Sequence, residues 1–175
     1  MLLKSKNVQG RRNLEFSMLD EIVADAEKLV VASDTKTLGN WSLSHLLGHL
    51  AMAFNSSIDG FDAKAPLFIR LIVPFFKKAA LRQKMSPGIN LPKNAEADAF
   101  PDFGTPQAAL EQLRKAVART KSEKMEATHP AFGKMTNDDW VKLHLRHSEM
   151  HLSFALAKNI GDFQSQTETL VGSAT

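Results

Sequence analysis

Residues 136–159 read TNDDWVKLHLRHSEMHLSFALAKN. Thr136 with Asp139 three residues on is a reciprocal N-cap signature, so a helix starts here and is expected to run to about Asn159, where Gly161 stops it. Three histidines fall within this helix: His144, His147 and His151. At about 100° per residue they lie within roughly 60° of one another. Lys142, Arg146, Glu149 and Ser153 mark the opposite side as the solvent side. Leu143, Met150 and Phe154 flank the stripe on one edge; Val141, Leu152 and Ala155 flank it on the other. The stripe therefore points into a core. A buried imidazole needs partners for both ring nitrogens, and a shared divalent cation supplies one. His147 and His151, at i,i+4, have the spacing that lets two imidazoles share an ion. The intervening residues, HSEMH, lack the glutamate of a zincin motif.

Outward from that helix, the same pattern recurs. Ser17 with Asp20 reads as the start of a first helix running to about Ser33, with Leu19, Ile22, Val23, Ala26, Leu29 and Val30 at helical spacing. A second helix spans about 42–60, carrying Leu43, Leu46, Leu47, Leu50, Phe54 and Ile58, with Gly60 as its stop. It holds His45 and His49, again at i,i+4. His49 lies at the edge of the apolar side and His45 further round towards solvent, so His49 is the inward group. Thr105 before Pro106 reads as an N-cap with proline at N1, opening a helix over 105–126. A further helical stretch is expected over 66–85, broken at Pro74. Residues 1–14 read as a basic extended lead-in. The expected fold is all-α: a four-helix bundle with helices near 17–33, 42–60, 105–126 and 136–160, and an insertion at about 62–104, in one domain over 1–175.

Composition narrows the chemistry. The chain has 175 residues and no cysteine, which removes disulfides and thiolate ligands; a metal site must use nitrogen and oxygen. The charge of +3, from 22 basic and 19 acidic residues, does not by itself call for nucleic acid. No run of 18 apolar residues suggests a spanning helix, and the N-terminus lacks a signal-peptide core, so a cytoplasmic location is expected. Phosphate-binding glycine loops and Gly-x-Ser-x-Gly are absent. From Lys64 to Lys93 there are seven basic residues and no acid, interleaved with Leu67, Phe68, Ile69, Leu71, Ile72, Val73, Phe75 and Phe76. This segment is expected to pack on the bundle with a solvated basic face, beside a pocket entrance; a membrane- or DNA-contacting surface is the alternative. His129, before Pro130, reads as a turn or rim residue, and Trp41 and Trp140 as anchors of the two His-bearing helices.

Several stretches together resemble the DinB/YfiT-like superfamily of metal-binding four-helix bundles. They are Arg11-Arg12 with Leu14 and Phe16, the run from Trp41-Ser42-Leu43 to His49-Leu50-Ala51, and His129 to Thr136 followed by Trp140, His147 and His151. The resemblance implies an up-down-down-up bundle. It implies a divalent metal, nickel or zinc, held by one histidine of the second helix and the i,i+4 pair of the last, here His49, His147 and His151. His144 becomes a neighbouring non-ligand and the nearest candidate for an acid–base residue. Some members of the superfamily are thiol-dependent transferases or isomerases, so a small-molecule substrate and a low-molecular-weight thiol are the expected partners, with a homodimer as the assembly and no nucleic acid. The alternatives are a non-catalytic metal-binding or structural protein, and a basic surface-binding module.

Overall fold

A computed structural model describes residues 5–32, 34–61, 66–88 and 101–157. Four helices form the bundle: α1 (Leu19–Val31), α2 (Leu43–Asp59), α5 (Pro106–Ser122) and α6 (Asn137–Leu152). The insertion is a joined helical segment: α3 (Leu67–Ile72), a 3-10 turn (Val73–Phe76) and α4 (Lys77–Arg82). The turn carries Pro74, where the sequence places the break, because proline cannot donate the helical hydrogen bond. Among the described residues the fold is all-α apart from one two-residue antiparallel pair, Lys36–Thr37 with Ala155–Leu156, and an isolated bridge between His129 and Gly133.

The apolar faces meet in one core. Ile22, Ala26 and Leu29 of α1, Leu47, Leu50 and Phe54 of α2, Leu113 and Ala116 of α5, and Leu152 of α6 are buried together. Helix α2 packs most extensively on α5, where Ala109 and Ala116 let the backbones approach. A second cluster of Leu81, Met125, Met135, Trp140 and Leu143 closes one end and ties α4 to the bundle. Lys77 adds an ion pair of 2.9 Å to Asp139.

The caps read from the sequence form at Thr105 and Thr136, and Ser42 adds a third at the start of α2. Ser42 Oγ accepts from the His45 N–H at 3.3 Å. Thr105 Oγ1 accepts from Ala108 at 3.1 Å, with Pro106 at the first turn. Thr136 and Asp139 form the reciprocal box at 3.1 and 3.3 Å. Helix α1 departs from expectation. It begins at Leu19, and Glu21 rather than Asp20 accepts from the lead-in backbone, at 2.6 Å from Ser17. Helix α5 ends at Ser122, short of 126.

Helix α6 departs further, ending at Leu152 rather than near residue 159. Its last carbonyls are taken by other partners. The Arg12 guanidinium donates to Leu152 O at 3.0 Å, and the Arg12 N–H to Ser153 O at 2.9 Å. Leu38 N–H then takes Phe154 O at 2.8 Å, drawing the chain into the short strand pair. Ser33, Lys64, Lys93, Asn159 and Gly161, together with 62–65 and 89–100 of the insertion, lie outside the described residues.

Glu149 and Ser153 were expected on the solvent side and are instead buried. The lead-in covers them. Phe16 N–H donates to Glu149 Oε1 at 2.7 Å, and Arg146 bridges Glu149 at 2.9 Å and Phe16 O at 3.1 Å. Arg12 clamps Asp25 of α1 with two bonds of 2.7 Å. Residues 11–16 thus form a strap between α1 and α6. Removing one partner of a buried ion pair strands the other charge. Glu149→Ala is expected to cost about 3 kcal/mol in urea unfolding, whereas Lys142→Ala, on the exposed side of α6, should change stability by less than about 0.5 kcal/mol.

Candidate metal centre

Helix α2 presents His49 towards α6 because Leu46, Leu47 and Leu50 on either side of it are buried against the bundle. Helix α6 presents His147 and His151 from successive turns. The three rings converge: His49 Nε2 lies 3.1 Å from His147 Nε2, and His151 Nε2 lies 3.0 Å from the same atom. One ligand atom of each residue lies within 4.8 Å of the others. The ring centroids are 4.4–4.9 Å apart.

The donor set fits a divalent ion. A neutral ring nitrogen carries either one proton or one lone pair, so His147 Nε2 cannot serve both neighbours well as an ordinary hydrogen-bonding group. One cation receiving three lone pairs satisfies all three. Two nitrogens at about 2.0–2.1 Å from one ion, at cis angles of about 90–109°, lie about 2.9–3.4 Å apart, which brackets both short contacts. His49 is buried, and His147 and His151 are half-buried. Burial, and then the neighbouring histidines, hold the His147 and His151 imidazoles well below the usual histidine range. Both are therefore in the neutral form a metal requires.

The other histidines lie elsewhere. His45 bonds Ser42 Oγ at 2.7 Å and faces the Asp102 carboxylate at 3.9 Å, apart from the cluster. His144 is one turn before His147 but sits between rings: it stacks on Phe54 at 3.9 Å and on Trp140 at 5.6 Å. It is 2% exposed, and its Nε2 has no hydrogen-bond partner among the described residues. Burial, then the nearby His129, pushes its pKa down to about 3. His129 caps its own turn, Nδ1 accepting from Ala131 and Phe132 at 3.1 and 3.0 Å. It is half-buried among Phe61, Phe132 and Trp140, and burial lowers its pKa to about 4. Trp140 anchors the start of α6 through Nε1–H to Ala127 O at 3.3 Å.

The supports that sequence reasoning missed are Arg12, Asp25, Arg146 and Glu149. Their only local signal is the i,i+3 spacing of Arg146 and Glu149, which reads equally well as a surface pair.

The class is therefore an all-α bundle carrying a clustered histidine triad, the arrangement of a metal-binding helical protein. Residues 8–158 match the family described as "Protein of unknown function (DUF1569)", and the chain belongs to that family. No curated protein and no solved structure matches it. Among the described residues, no helix is long and apolar enough to cross a membrane.

The two aromatic-packed histidines, His144 buried and His129 half-buried, set an acid limit. In the unfolded chain they take up protons near pH 6.5; in the fold they do so only near 4 and 3. Between those values the unfolded state binds more protons. Their contribution to stability is thus complete above about pH 6.5 and is lost as pH falls towards 4 and below. Urea unfolding of the metal-free protein should show stability declining over that window. His144→Phe should make the slope shallower by up to about 1.4 kcal/mol per pH unit.

Proposed function

We propose that this chain is a divalent-metal-dependent enzyme of the DinB/YfiT-like type, acting on a small molecule by thiol-dependent transfer or hydrolysis. His49, His147 and His151 are the ligands, and nickel or zinc is the ion, since imidazole suits these better than calcium or magnesium. The observation that carries the reading is the meeting of three imidazole nitrogens at one point, with His147 in contact with both others. When bound, such an ion supplies Lewis acidity and a position for an exogenous ligand. The chain's own residues hold the three donors together, with His147 and His151 kept neutral by burial. The second reading is a sealed structural site. A low-molecular-weight thiol is the proposed co-substrate, and a homodimer the proposed assembly.

His144 receives a positioning place in this proposal. Closed in by Phe54 and Trp140, it cannot touch a substrate, and its packing fixes the turn of α6 that carries His147. Residues 1–175 are taken as one domain, which the continuous family match over 8–158 supports.

The test is metal stoichiometry by plasma mass spectrometry after reconstitution with nickel or zinc. Wild type should hold about one ion per chain. His147→Ala removes the central ligand and should weaken retention by roughly a hundredfold or more. His45→Ala should leave it intact. Equal loss in the two variants would reject the ligand assignment. A wild type that retains neither metal would reject the site. An added thiol should change the visible spectrum of the cobalt-loaded protein; an unchanged spectrum favours the structural reading.

A further inference from the structure

The insertion shows the solvated basic face expected of it, but its apolar residues are exposed as well. Leu67, Phe68, Leu71, Ile72, Phe75 and Phe76 are 55–87% exposed. Their spacing is i,i+4 in two adjacent rows, which on α3 and the following turn makes one contiguous apolar strip. Elsewhere among the described residues, the large exposed apolar side chains, Met18, Val31 and Phe103, are far apart in sequence. Among the described residues of the insertion, Leu81 in the core cluster and Lys77 on Asp139 anchor the end away from α3.

Charge says what such a strip would meet. Lys64 to Lys93 holds seven basic residues and no acid, leaving fifteen basic and nineteen acidic residues in the rest of the chain. Arg70, Lys78 and Arg82 are exposed around the strip, and none pairs with a carboxylate among the described residues. A second copy docked face to face would bring these like charges together, at a cost in association. An anionic phospholipid surface accepts both features at once: the phenyl and aliphatic groups enter the headgroup–acyl boundary while the cations stay at the phosphate level. No helix among the described residues can span, so the contact is peripheral.

We propose that residues 67–82 form a peripheral membrane-docking face for anionic phospholipid bilayers, with Phe75 and Phe76 as the inserting tip and Arg70, Lys78 and Arg82 as the phosphate contacts. This is independent of the metal centre and goes beyond the enzymatic reading. It gives the insertion a role that bundle packing does not, by holding the protein at a lipid surface.

The full chain is sedimented with large vesicles of phosphatidylcholine alone and with about 30% phosphatidylglycerol, at about 0.1 M and 0.5 M salt. The anionic vesicles should bind at least about tenfold more strongly than neutral ones, and lose most of that binding at the higher salt. Lys78→Glu/Arg82→Glu should weaken binding by roughly twentyfold or more, at about fivefold for each cation lost. Phe75→Ser/Phe76→Ser should weaken it by at least about tenfold, with helical circular dichroism and metal stoichiometry unchanged because neither side chain is buried. Absence of binding to anionic vesicles overturns the proposal, as does binding that ignores lipid charge. So does a phenylalanine double variant that binds like wild type. A wild type that is dimeric by light scattering, with the same double variant monomeric, also overturns it and assigns the strip to a second copy.

Discussion

The buried carboxylate of Glu149 fixes the rotation of α6, and the site follows from it. Glu149 lies between His147 and His151 in sequence, but about 200° from each around the helix. Holding it against the lead-in, through the Phe16 amide and Arg146, turns the two histidines to the other side, where α2 brings His49. Arg12 completes the constraint by joining Asp25 of α1 to the last carbonyl of α6. A charge cluster placed on the back of α6 thus aligns neutral donors on its front. The cost of burying Glu149 is offset by pairing, and the geometry of a three-nitrogen site is gained without any ligand residue being held by a loop.

Much of this was legible where the deciding interactions are local. The caps at Thr105 and Thr136 act within three residues and start their helices as read; Ser42 caps α2 over the same short range, at the start expected for that helix. The choice of His49 over His45 followed from the apolar arc of α2, since burial there is set by the helix's own periodicity. Failures occur where a distant segment intervenes. Glu149 was assigned to solvent on charge alone, because nothing near it in sequence announces the strap of residues 11–16. Asn159 was assigned to α6 because its end is set by Arg12 and by pairing with residues 36–37, more than a hundred positions away. By the rule that apolar residues seek burial, α3 reads as packed against the bundle; the structure leaves Leu67, Phe68, Leu71 and Ile72 exposed.

The histidines divide into two environments with different chemistry. His129 and His144 lie among Phe54, Phe61, Phe132 and Trp140, where burial keeps them neutral and packing absorbs them. His49, His147 and His151 face one another, and it is their mutual approach that calls for an ion. The distinction separates core histidines from candidate ligands within a single helix turn. It gives the family to which the chain belongs a concrete chemical hypothesis, centred on residues inside the matched span of 8–158.

The most direct measurement is X-ray absorption at the metal edge of protein reconstituted with nickel or zinc. The account expects three imidazole nitrogens at about 2.0–2.1 Å, with the outer-ring scattering that marks histidine, plus at least one further light-atom ligand. In His147→Ala the imidazole count should drop. A shell of water oxygens without imidazole scattering, or an unchanged spectrum in His147→Ala, would contradict it.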